Sequence, residues 1–126
     1  GVIDPRIVPG RDSLVAIASV LQLMTTTNKT ISQLVKELPR YQIVKTKFDC
    51  GREDAARAVD AIKQKFASEK LDTQDGVRID WPDSWVHARP SNTEPIMRII
   101  AEAPDREAAE QRIRVVREVV DRTLRS

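Results

Sequence analysis

The stretch that decides the fold is Val77–Ala103, VRIDWPDSWVHARPSNTEPIMRIIA followed by Glu102 and Ala103. Val77, Ile79 and Trp81 alternate with Arg78 and Asp80, the period of two expected of a half-buried strand. Pro82-Asp83 turns the chain, and Ser84–Arg89 returns as a second strand. A loop from Pro90 to Pro95 then leads into a third strand, Ile96–Ala103. Upstream, Asp75-Gly76 is a hairpin signal, and Leu71–Thr73 reads as a short strand before it.

Working outward, Tyr41–Phe48 alternates with Val44, Thr46 and Phe48 on one side and Lys45 and Lys47 on the other, so it too reads as a strand. From Glu53, the residues Ala55, Val59, Ile62 and Phe66 fall on one helical face. Pro104-Asp105 opens a last helix whose core face is Ala109, Ile113, Val116, Val120 and Leu124. Glu110 with Arg114 and Glu118 with Arg122 stand at i,i+4 spacing on it. The expected class is α+β: a small antiparallel sheet with two helices on one face, in the order β-α-β-β-β-α.

Residues 1–40 differ. Asp12 or Gly10 starts a helix that is apolar nearly all round, through Leu14, Val15, Ile17, Val20, Leu21, Leu23 and Met24, and such a helix should be largely buried. Thr30 with Gln33 forms a capping box for a second, short helix that Pro39 stops. Two helices cannot bury this much apolar surface against each other. We therefore expect residues 1–40 to be the end of a preceding α/β domain, and residues 41–126 to be a domain of their own.

The chain has 126 residues, 40% hydrophobic and 32% charged, the composition of a globular domain. Its 21 basic and 19 acidic residues give a net charge of +2, too balanced for a dedicated nucleic-acid or anionic-membrane binder. Five basic and three acidic residues precede Tyr41, leaving 16 of each afterwards, so an anion site in the second part must be local. One cysteine and one histidine argue against a disulfide framework and against a zinc site. With no membrane-length apolar run and no secretory pattern, the expectation is a cytoplasmic protein without nucleic-acid or membrane partners.

The chemistry is concentrated in Arg89-Pro90-Ser91-Asn92-Thr93-Glu94-Pro95 and the Arg98 beyond it. Arg89 offers a planar fork of donors suited to phosphate oxygens. Ser91 and Thr93 offer hydroxyls, Asn92 an amide, and successive backbone N–H groups of a tight loop converge on anions. Pro90 and Pro95 stiffen the ends, which reduces the entropy lost on binding. Glu94 has the wrong sign and should turn toward an arginine. Elsewhere, His87 lacks a paired carboxylate in sequence, Cys50 lacks a neighbouring base, and Trp81 and Trp85 flank a turn; all are read as structural. The arginines of the last helix interleave with acidic residues as a solvated face.

The run RPSNTEPIMRIIAEAP, residues 89–104, closely resembles the phosphate-binding signature in the last domain of the α-D-phosphohexomutases, the family of phosphoglucomutase, phosphomannomutase and phosphoglucosamine mutase. Gly1-Val2-Ile3 with Gly10-Arg11-Asp12 resembles the stretch after that family's sugar-recognition loop, and Tyr41–Ser126 resembles its fourth domain. The resemblance implies an isomerase of carbohydrate metabolism that interconverts hexose 1-phosphate and hexose 6-phosphate through a phosphoserine and a bisphosphorylated sugar, with magnesium. It implies that this part holds the phosphate that is not reacting, through Arg89, Ser91, Asn92 and Thr93, with Arg98 as a further contact. No Ser-His-Asn nucleophile loop, Asp-Gly-Asp-x-Asp-Arg metal loop or glycine-rich sugar loop is present in these 126 residues. The resemblance therefore implies the C-terminal part of a longer enzyme, inactive alone, partnered by its own N-terminal domains, with no catalytic residue or metal ligand of its own. The alternative is a non-catalytic α+β module for nucleic acid or protein, which would need a basic or aromatic sheet face.

Overall fold

A computed structural model describes residues 1–125. The chain divides into two compact units, Gly1–Pro39 and Arg40–Ser126.

In the first unit, helix α1 spans Ser13–Thr27 and α2 spans Ile31–Glu37. Asp12 caps α1, its carboxylate accepting from the N–H groups of Leu14 and Val15 at 2.8 and 3.1 Å. Asn28 ends α1 in the left-handed conformation at φ 53°. Thr30 and Gln33 form the expected capping box on α2. No residue of α1 or α2 is buried, contrary to the burial expected of α1. Leu14, Ile17, Leu21 and Leu23 are all exposed, because a helix apolar on every side needs partners on several sides and this unit offers one short helix and the lead-in of residues 1–12. Within that lead-in, Arg6 hydrogen-bonds Asp4 and holds its carboxyl down to about 2.

The second unit is the α+β sheet. Strand β1 spans Gln42–Asp49, α3 Arg52–Lys65, β2 Lys70–Asp72, β3 Val77–Asp80, β4 Trp85–Pro90, β5 Ile96–Ala103 and α4 Arg106–Arg125. The five strands lie in the order β1-β5-β4-β3-β2, with every neighbouring pair antiparallel. The short strand read at Leu71–Thr73 is β2, so four strands rather than three lie between the helices.

One face of the sheet carries Val77, Ile79, Val86, Ala88, Met97, Ile99, Ala101 and Ala103, all buried. Ala55, Ala58, Val59 and Ile62 of α3 and Ala109, Ile113, Val116 and Val120 of α4 cover it. The small residues let the helix axes sit close to the sheet, and the branched ones fill the space between. Phe66 meets Trp81 edge-on at 6.2 Å and 84°. Arg112 and Arg117 of α4 lie over the Trp81 and Phe48 rings at 4.2 and 3.6 Å, closing the ends of the core. On the outer face of α4, Glu118 pairs with Arg122 as expected, but Glu110 pairs with Arg106 instead of Arg114, which turns to Gln111. The preceding arginine lies equally one turn away, so spacing alone does not choose between them. No helix among the described residues is long and apolar enough to cross a membrane.

Candidate functional site: the loop between β4 and β5

The loop 91–95 connects two central strands at the end of the sheet where α3 begins. It is closed by the N–H of Ser91 donating to the carbonyl of Ile96 at 2.9 Å, and by the Ile96 N–H donating to Glu94 at 2.8 Å. The Cys50 N–H donates to the Pro95 carbonyl at 2.8 Å, which ties the loop to the turn before α3. Inside the loop, the Ser91 hydroxyl oxygen accepts from the N–H groups of Thr93 and Glu94 at 3.4 and 3.3 Å. These are long hydrogen bonds, so both donors are only lightly held and point at one spot.

The five residues singled out in the sequence fall into two groups. Ser91, Asn92 and Thr93 line a cleft of about 620 Å³ whose other wall is α3, through Arg52, Ala56 and Lys63. Arg89 and Arg98 lie on the opposite, helix-free face of the sheet, because strand alternation sends Ala88, Met97 and Ile99 into the core. There the two arginines stand directly opposite each other across β4 and β5. Each has its own carboxylate: Arg89 pairs with Asp75, and Arg98 with Glu94 at 3.3 Å. Glu94 thus turns to an arginine, as its sign requires.

Two members of this neighbourhood carry no signal in the sequence. Lys47 is the residue opposite Arg98 on β1, so Lys47, Arg98 and Arg89 form a lateral row of cations. Although residues 41–126 are neutral by count, register alone gathers this positive row on the open face of the sheet. Asp75 is 14 residues from Arg89 and reaches it only because β3 pairs with β4. His87, on the same face, donates through Nε2–H to the Asp75 carbonyl oxygen at 2.6 Å.

Cys50 borders the cleft but is 6% exposed. Burial, and next the Asp54 carboxylate, push its thiol up from the ordinary value. Its thiolate is therefore scarcer near neutral pH than that of a free thiol. Alkylation by iodoacetamide at pH 7.5 is expected to run at least about ten-fold slower than for a small free thiol, and to rise only at more alkaline pH. Stopped-time mass spectrometry measures this, and labelling as fast as the free thiol would contradict it.

Among the described residues, no three His, Cys, Asp or Glu side chains converge into a metal site. No ligand for the magnesium implied by the resemblance is assigned here, and no step is derived through it.

The antiparallel sheet with two helices on one face and the Arg-Pro-Ser-Asn-Thr loop between its central strands define the class of domain. Residues 41–119 match the family described as "Phosphoglucomutase/phosphomannomutase, C-terminal domain", and the chain belongs to that family. It is 35% identical to a protein of Thermococcus kodakarensis named "Phosphoglucomutase/phosphomannomutase", over 99% of this chain and 28% of the relative. It is 34% identical to a protein of Methanocella arvoryzae named "Probable phosphoglucosamine mutase", over 98% of this chain and 28% of the relative. The chain thus spans about 28% of the length of these curated relatives. A solved structure of a Burkholderia thailandensis phosphoglucomutase/phosphomannomutase family protein shares the fold, with a TM-score of 0.55 and 24% identity over 73% of this chain and 20% of that one.

Proposed function

We propose that the loop from Arg89 to Arg98 holds the non-reacting phosphate of a hexose phosphate in a phosphohexomutase. The reaction is the exchange of phosphate between the 1 and 6 positions of the sugar, by way of a phosphoserine and a bisphosphorylated intermediate, with magnesium as cofactor. Neither the phosphoserine nor a magnesium ligand is assigned to residues of this chain. The observation that carries the reading is the convergence of the Thr93 and Glu94 N–H groups on the Ser91 hydroxyl, with an arginine on the strand that enters the loop. A phosphate oxygen arriving there replaces two long hydrogen bonds by two charge-assisted ones. Because the tethered phosphate is remote from the reacting one, its binding energy orients the sugar in either direction.

The test is an NMR titration of the chain with glucose 1-phosphate beside an Arg89→Ala variant. Saturable shifts confined to residues 89–98 and weakened at least about ten-fold in the variant are expected, a charge-assisted hydrogen bond being worth roughly 1.5–3 kcal/mol. Shifts of equal strength in the variant, or none at millimolar ligand, would refute the reading for this chain.

A further inference from the structure

Arg89 is held in place with more machinery than an ordinary surface arginine receives. Asp75 and Gly76 form the turn between β2 and β3. Gly76 has φ +71°, and its Cα abuts the backbone of Ala88 and Arg89 so closely that a Cβ would lie 2.3 Å from the Ala88 carbonyl oxygen and 2.8 Å from the Arg89 Cα. His87 hydrogen-bonds the Asp75 carbonyl oxygen from the neighbouring strand. The turn is thus pinned to β4 at three successive residues, His87, Ala88 and Arg89. The pinning delivers the Asp75 carboxylate to the Arg89 side chain.

The contact is also selective within the guanidinium. Asp75 Oδ2 accepts from Nη1 of Arg89. An arginine has five N–H donors in a planar fork, so the edge formed by Nε and Nη2 stays available to a second, bidentate acceptor. Glu94, in the loop between the two strands, holds Arg98. Like charges directly opposite on neighbouring strands repel. A carboxylate for each arginine offsets part of that repulsion, and Asp75 fixes where the Arg89 guanidinium lies.

We propose that Asp75 is a positioning residue: its carboxylate, fixed by the Gly76 turn and by His87, holds Arg89 by one amino group so that the remaining edge meets a phosphate already oriented. The role rests on the phosphate reading given above. An arginine loses rotamer freedom when it binds a ligand, and one held beforehand loses less.

The experiment uses the unsubstituted chain, Asp75→Asn, Asp75→Glu and Arg89→Ala, each titrated with glucose 1-phosphate by NMR. Two quantities are read: the dissociation constant, and the side-chain ¹⁵N signals of Arg89 without ligand. Restricted rotation keeps the two Nη signals apart, and free rotation merges them. Expected are separate Arg89 Nη signals in the unsubstituted chain and merged ones in Asp75→Asn. Binding should weaken about five-fold in Asp75→Asn and return to within about two-fold in Asp75→Glu, in keeping with the entropy of one immobilised side chain. Binding in a folded Asp75→Asn that is unchanged or tighter would show a competing counter-ion instead and overturn the proposal. Merged Nη signals in the unsubstituted chain would overturn it too, whether or not any variant folds. Failure of the unsubstituted chain to bind, or full binding by Arg89→Ala, would bring down the phosphate reading and this role with it. Binding that Arg89→Ala loses and Asp75→Asn keeps would bring down this role alone.

Discussion

Replacing Gly76 with alanine is expected to destabilise the sheet domain by about 3 kcal/mol or more, counting about 1–2 kcal/mol for a left-handed backbone conformation and the rest for the collision. The new methyl group would sit 2.3 Å from the Ala88 carbonyl oxygen and 2.8–2.9 Å from the Arg89 Cα and Cβ. Neither strand yields easily. Ala88 is paired with Val77 on one side and with Ile99 on the other, and its side chain is buried. The methyl group therefore has to open the end of the β3–β4 ladder, which moves Asp75 away from Arg89 and loosens the entry to the loop. Against a total stability of about 5–15 kcal/mol for a domain, the loss is large. Urea denaturation followed by tryptophan fluorescence checks it, since Trp81 and Trp85 stand at the other end of the β3–β4 hairpin and report its unfolding. A midpoint equal to that of the unsubstituted protein would contradict the account.

The second large effect is expected at Ile62. Its side chain is fully buried on α3, within the cluster that joins α3, α4 and the sheet. Ile62→Ala removes three carbons from a site with no route to water, and the expected loss is about 2–5 kcal/mol for such a truncation, against about 0.5–1.5 for Ile62→Val. The graded pair separates a cavity from a change of helix propensity. Alanine is the better helix former by a few tenths of a kcal/mol, so propensity alone would shift stability the other way. The same urea experiment reads both variants, and a loss under about 1 kcal/mol for Ile62→Ala would mean that the helices close over the gap.

Much of this architecture was legible in the sequence because the relevant physics is local. The alternation Val77, Ile79 against Arg78, Asp80 needs only the pleat of a strand. The Thr30–Gln33 box needs only one helical turn, and the Ala55, Val59, Ile62, Phe66 face only the helical period. What stayed hidden depends on pairing between distant segments. That Arg89 and Arg98 leave the core side together follows from alternation, but that they face each other follows from the β4–β5 register. That Lys47 joins them requires knowing that β1 docks beside β5, and that Asp75 reaches Arg89 requires the hairpin register of β3 on β4. The loop motif marked the place, and register supplied its electrostatic company. The exposed surface of α1 is the converse: its apolar pattern asks for burial, and pattern says nothing of where a covering surface is to come from.

The strand order has a consequence for how the domain comes into being. The pairs β2–β3, β3–β4 and β4–β5 each join strands consecutive in sequence, so they can zip up as hairpins almost as soon as they exist. Strand β1 cannot. Its neighbour is β5, and the hydroxyl of Thr46 reaches the carbonyl of Ile99 across 53 residues. The first strand of the domain must wait, unpaired, for the last one. Closing so long a loop is entropically slow, and sheets that depend on such closures fold in milliseconds to seconds rather than microseconds. A nascent chain would thus carry the lysine-bearing strand Gln42–Asp49 as an open edge until β5 is made, and the row of Lys47, Arg98 and Arg89 would be among the last features of the domain to assemble.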